Sequence, residues 1–177
     1  NNALDDLIWT LNFGTNAKPL KQFDKLRELR PNAPMMCSEY WSGWFDGWGR
    51  AHETRPAEAM VKGISEMLDN NISFSLYMTH GGTSFGHWAG SNNTKFSPDC
   101  TSYDYDAPIN EQGSATEKYY KLRALLQQHS THKLPAVPKP KPIIAVPEIA
   151  FKEYATLEDN VSRRVTTQSP LSFEEMD

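Results

Sequence analysis

Cysteine is scarce in this chain: Cys37 and Cys100 are its two thiols, too few for a disulfide framework and at a spacing that matches no zinc site. No apolar run approaches the about 18 residues that a membrane-spanning helix needs, which excludes such a span in this segment. A basic stripe is missing as well. The 18 Lys and Arg residues are scattered and the net charge is -4, the wrong footprint for a nucleic-acid binder. Asn1 is neither an initiator Met nor the start of a signal-peptide pattern. We therefore expect the natural N-terminus to lie upstream.

Aromatic side chains, by contrast, are plentiful: five Trp, seven Tyr and eight Phe, several of them in polar, Gly-rich stretches where a core would not put them. Pyranose rings pack their C–H faces on aromatic planes and offer hydroxyls at their edges, so interleaved aromatic and polar residues fit a carbohydrate site. Composition alone leaves open the plainer reading that these rings fill a core.

Periodicity predicts a strand at Leu7–Phe13 ended by Gly14, then a helix with Pro19 in its first turn and Leu20, Phe23, Leu26 and Leu29 on one face. The Arg30-Pro31 step ends that helix. A second strand follows at Met35–Tyr40. Pro56 opens a second helix striped by Ala57, Met60, Val61, Ile64, Met67 and Leu68, and Asn70-Asn71 stops it. Ile72–Met78 reads as a third strand. Ser114 and Glu117 form a capping-box pattern ahead of a last helix with Tyr119, Leu122, Leu125 and Leu126 inward. Three strand-helix units with long loops after the strands are the grammar of a parallel α/β sheet or barrel, whose sites lie at the carboxyl ends of the strands. A whole barrel takes about 250 residues, so the three units of residues 1–133 cannot close one alone, and we expect either a fragment or a chain that docks on a partner supplying the other strands. Prolines at 135, 138, 140, 142 and 147 mark residues 134–147 as a semi-rigid linker, and the weak apolar cadence of Ile149, Phe151, Tyr154 and Leu157 leads us to expect 148–177 to be the start of a β-rich domain that is cut short.

The sharpest segment is SEYWSGWFDGWG at 38–49. Glu39 ends an apolar strand and is followed by Tyr40, Trp41, Trp44 and Trp48. A carboxylate so placed can attack an anomeric carbon while aromatic walls hold the sugar and exclude water. A structural Glu in a rim salt bridge is the alternative. Tyr77, at the end of the third strand, could donate its phenol to Glu39, or serve as core. Tyr103 and Tyr105 share one side of an extended chain, opposite Asp104 and Asp106. His80 and His87, with His52 and Glu53 nearby in sequence, fit no standard metal set. Asn71, Asn92 and Asn160 begin glycosylation-type tripeptides, a weak pattern.

SEYWSGWFDGWG, YMTHGGTSFGHWAG at 77–90 and TSYDYDAPINEQG at 101–113, in this order and spacing, resemble the second half of the catalytic domain of glycoside hydrolase family 35. The resemblance covers about residues 4–129. It implies the C-terminal part of a TIM barrel, with residues 1–133 as the last three units, and a retaining β-galactosidase that removes terminal β-linked galactose. It carries the nucleophile onto Glu39, the residue beside it onto Tyr77 and a galactosyl contact onto Tyr105; from their place in the loop after Glu39, Trp44 and Trp41 are expected as walls of the site, with a purely structural anchor for the loop as the alternative for Trp44. It implies no cofactor and no metal, a β-galactoside as partner, and an exported, periplasmic or lysosomal location. The family's acid/base motif, Gln-x-Glu-Asn-Glu-Tyr, is absent from these residues, so that Glu is expected upstream, with the rest of the barrel, and the segment alone is expected to be inactive. A non-catalytic carbohydrate-binding module and a retaining glycosidase of other sugar preference remain the rival expectations.

Overall fold

A computed structural model describes residues 4, 6–86, 88–92, 95–162, 164–169 and 171. The chain forms two units, residues 1–141 and 142–177. The first runs β1 (Leu11–Gly14), α1 (Pro19–Gln22), α2 (Asp24–Leu29), β2 (Met36–Trp41), α3 (Ala57–Asp69), β3 (Ser73–Tyr77), β4 (Gly82–Thr83), β5 (Ser102–Tyr103) and α4 (Glu117–Gln128). The strands β1, β2 and β3 form one parallel sheet in sequence order, and β4 pairs antiparallel with β5 inside the long loop after β3.

Helices cover one face of the parallel sheet. Pro56 precedes the first turn of α3, where a missing N–H costs nothing, and the apolar stripe then buries Met60, Ile64 and Met67 completely. Phe13, Phe23, Cys37, Tyr40, Leu122 and Leu125 complete the core, with the ring of Phe13 edge-on to those of Phe23 and Tyr40 at 5.9 and 6.0 Å. Gly63 weakens α3 intrinsically, but a Cβ there would collide with the Tyr40 hydroxyl. The glycine lets Tyr40 reach across the helix and donate to the Met60 carbonyl at 3.2 Å. Asn70 caps the helix and Asn71 turns the chain with φ 54° into β3.

Three expectations change. The first strand begins at Leu11 instead of Leu7; Leu7 and Ile8 are exposed, with no ladder partner among the described residues. The first helix is two pieces, because the buried Phe23 sends its N–H to Leu20 O three residues back and breaks the α-helical ladder. The Ser114 capping box does not form. Helix α4 starts at Glu117, the Ser114 N–H goes to Asn110 Oδ1, and Thr116 turns its hydroxyl back to Pro108 O at 2.8 Å.

Leu134, at the start of the Pro-rich stretch, is strapped to α4 through Arg123 and Gln127. Among the described residues of the second unit the one regular element is α5 (Leu157–Asn160), a single turn capped by Thr156, and no strand forms.

Candidate active site

Midway along β2 the strand carries a bulge. Leu11 and Asn12 of β1 face Cys37 and Glu39, while Phe74 and Leu76 of β3 face Cys37 and Tyr40, so β2 has one residue more than either neighbour at Ser38-Glu39. An extra residue breaks the alternation of faces. That is how Cys37 and Tyr40, three apart, both point into the helix-side core while Ser38 and Glu39 both take the other face. Asn12 Oδ1 holds the bulge, accepting from Ser38 Oγ at 2.7 Å and from the Glu39 N–H at 3.1 Å. Thr10 Oγ1 lies 2.8 Å from Ser38 Oγ, so this face is polar across both strands.

The Glu39 carboxylate receives the indole N–H of Trp41, 3.0 Å from Oε2. The two residues are next but one along the strand and share a face. Trp41 stands edge-on to Trp44 at 5.5 Å, and Trp44 lies beside Phe45 at 5.0 Å and Tyr105 at 6.2 Å. Tyr105 in turn meets Tyr77 edge-on at 5.4 Å and stacks with Tyr103 at 5.4 Å. Glu39, Trp41, Trp44, Tyr77 and Tyr105 thus come together, with Tyr103 and Phe45 added. A cavity of about 330 Å³ opens beside the cluster, lined by Gly14, Thr15, Asn16, Ala17, Trp41, Gly43, Trp44 and Arg55.

The hydrogen bonding differs in detail from the simplest sequence reading. The Tyr77 hydroxyl is 3.1 Å from that of Tyr103, and the donor on Glu39 is Trp41. Tyr40 belongs to the core, and Trp48 is 76% exposed on the outer loop. Tyr103 and Tyr105 do share a side, but not through an extended chain: Tyr105 and Asp106 have φ of 60° and 50°. This turn is packed between two loops. A Cβ on Gly43 would strike the Tyr105 carbonyl, and one on Gly81 would meet Asp104 O at 2.5 Å. Burial raises the Tyr105 phenol above its ordinary range, reinforced by Tyr77 and by the Glu39 charge, so it stays protonated and able to donate. Burial and the Tyr77 hydrogen bond do the same for Tyr103. Burial also pushes the Cys37 thiol up to about 11, which leaves it an inert core residue.

The acids around the site are engaged. Asp46 bonds His52 Nδ1 and the Glu53 N–H, both at 2.7 Å. Asp104 accepts the Glu111 N–H, and Asp106 accepts the Arg55 N–H and the ammonium group of Lys118. Among the described residues no group of three or more His, Cys, Asp or Glu could hold a metal ion. His87 lies outside the described residues, as do Asn93 and Thr94 of the Asn92 tripeptide. No helix is long and apolar enough to cross a membrane among the described residues. Asn12, Phe45 and Lys118 were not singled out by sequence. An amide inside the apolar Leu11-Asn12-Phe13 run was a signal for the first; Lys118, in a helix's first turn, offered none.

The profile of glycosyl hydrolases family 35 matches residues 1–129. The chain is 40% identical to a mouse (Mus musculus) β-galactosidase-1-like protein over 79% of its own length and 22% of the relative's. It is 37% identical to a β-galactosidase of Pongo abelii over 88% of the chain and 23% of the relative, and 34% identical to one of Xanthomonas manihotis over 99% and 30%. The chain spans less than a third of the length of these relatives. The chain belongs to glycosyl hydrolase family 35.

Proposed function

We propose, with membership of that family as the premise, that these residues are the nucleophile-bearing part of a retaining β-galactosidase built on a TIM barrel. The observation that carries this is the carboxylate of Glu39, turned by a bulge in the middle of β2 onto the polar face of a parallel sheet and held there by the Trp41 indole. In a double displacement Glu39 attacks the anomeric carbon, and a second carboxyl group about 5–5.5 Å away protonates the leaving oxygen and then activates water. Trp41 steadies the ionised nucleophile and remains able to balance it as the bond to sugar breaks. Tyr105, Tyr77 and Trp44 form the wall against the galactosyl ring.

Asp46, Asp104 and Asp106 are each committed to local partners, so the acid/base is proposed to come from outside these 177 residues, and this segment alone to be inactive. Two features support the larger barrel. A parallel sheet ordinarily has both faces covered, and here helices cover one. A groove of about 320 Å³ at the β1 edge, lined by Trp9, Leu11, Leu26 and Leu29 among others, fits a preceding unit. Residues 134–147 are proposed as the linker to a further domain.

The test is covalent trapping. Full-length protein treated with an activated 2-deoxy-2-fluoro-β-galactoside should gain one glycosyl mass on the peptide that contains Glu39. Labelling elsewhere would overturn the assignment, and faster cleavage of β-glucosides than of β-galactosides would overturn the sugar preference.

A further inference from the structure

Lys118 lies in the first turn of α4, where a lysine is ordinarily solvated, yet it is only 3% exposed. A buried ammonium group needs all its donors answered. The acceptors are Ser42 O at 2.7 Å, Asp106 O at 2.7 Å and Asp106 Oδ2 at 2.5 Å. Burial lowers the Lys118 pKa, and the Asp106 carboxylate opposes that shift.

Each acceptor belongs to a segment that shapes the site. Ser42 follows Trp41, the donor to Glu39; its N–H donates to Tyr77 O at 3.2 Å and its hydroxyl to Met78 O at 2.7 Å. Asp106 follows Tyr105, and both sit in the left-handed region that residues with a side chain rarely adopt. Such a conformation persists only where the surroundings over-determine it. Here Lys118 grips both the carbonyl and the carboxylate of Asp106, Arg55 N–H binds the same carboxylate oxygen at 2.6 Å, and Gly43 admits the Tyr105 carbonyl.

We propose that Lys118 is a positioning residue for catalysis: its ammonium group clamps the loop after the nucleophile strand to the turn that carries Tyr105, and thereby sets the Tyr105 ring against Trp44 and Tyr77 in the wall of the site. The inference rests on the reading of Glu39 and Tyr105 as residues of a galactoside site. A lysine that only satisfied buried carbonyls would affect stability alone, and its loss would combine independently with changes at Tyr105.

The experiment is a double-mutant cycle in the full-length protein, with kcat and KM measured on an aryl β-galactoside. Lys118→Met and Tyr105→Ala are each expected to lower kcat/KM about 100-fold, and the double variant to fall no more than about threefold below the weaker single, because the two act as a unit. Losses that multiply, a Lys118→Met enzyme within about threefold of wild type, or an unaffected Tyr105→Ala enzyme would overturn the proposal. If Lys118→Met does not fold, Asp106→Asn takes its place in the cycle, with an expected loss of about tenfold that again does not multiply with Tyr105→Ala; a multiplying loss overturns it. A wild-type protein inert towards β-galactosides would defeat the functional reading itself, which separates that failure from a failure of the clamp in an active enzyme.

Discussion

On the helix side of the parallel sheet, Phe13, Cys37 and Tyr40 meet Phe23, Met60, Ile64 and Met67 in an apolar core. On the other side, Asn12, Ser38 and Glu39 of the same strands and Thr10 just ahead of β1 are joined by hydrogen bonds of 2.7 to 3.1 Å. The first face draws its stability from area removed from water, about 25 cal/mol per Å², and tolerates little loss of volume. The second contributes little burial and fixes directions: which way a carboxylate points, and what donates to it. One added residue in β2 keeps the two roles apart: by shifting the register against both neighbouring strands it lets Ser38 and Glu39 share the polar face while Cys37 and Tyr40, three apart, share the core.

Substitutions on the two faces should therefore separate activity from stability. In the full-length protein Glu39→Gln should cut kcat/KM by about 10⁴-fold or more with the unfolding midpoint nearly unchanged. A variant keeping more than about one part in a hundred of the activity would sink the nucleophile assignment. On the opposite face Ile64→Ala leaves a cavity under the sheet and should cost about 2–5 kcal/mol of stability, seen as an earlier denaturation midpoint of the catalytic unit, while kcat at a temperature where the variant is folded changes little. If the two variants showed the same balance of effects, the division between the faces would be wrong.

A smaller effect is expected at the junction. Trp41→Phe keeps a ring against Trp44 but removes the N–H donated to Glu39. It should lower kcat about tenfold with KM almost unchanged, the signature of an interaction that matters more in the transition state than in binding. An increase in KM with kcat preserved would instead make Trp41 a wall for the sugar and no more.

How far this was legible from sequence differs between the faces in the same way. The apolar face could be read: the stripe from Met60 to Met67, the proline at 56 and the asparagines at 70 and 71 predict α3 and its inner side. Glu39 and the aromatic residues around it were also legible, because their types and order carry the family pattern. The bulge was not, since an extra strand residue has no composition of its own and shows only against its neighbours. Nor was the turn at Tyr105 and Asp106, where neither glycine nor asparagine advertises a positive φ. Its cause lies in distant residues, Gly43, Gly81 and Lys118, which only the folded chain brings together.

The smallest effect belongs to the outer loop, where His52 Nδ1 meets Asp46 at 2.7 Å with half of the His52 side chain exposed. The Asp46 hydrogen bond raises the His52 pKa, against burial, with help from the charges of Asp46, Asp104 and Asp106. Burial alone would raise Asp46, but the Glu53 N–H, His52 and Arg50 outweigh it and hold the carboxyl below its ordinary value. A raised histidine contributes fully below its unfolded pKa and loses that contribution as pH rises through the folded one. A depressed carboxylate contributes above its unfolded pKa and loses it as pH falls through the folded one. The pair is therefore worth most in mildly acidic solution, from just above the ordinary aspartate range up to the ordinary histidine pKa, and solvent screening keeps it below about 1 kcal/mol. His52→Gln should lower the thermal midpoint most near about pH 5.5 and hardly at all near about pH 9, where the imidazole is neutral in either state. A difference that stayed constant across that range would mean that His52 is held by its neutral hydrogen bond alone, and that the loop beside the polar face carries no charge-dependent support.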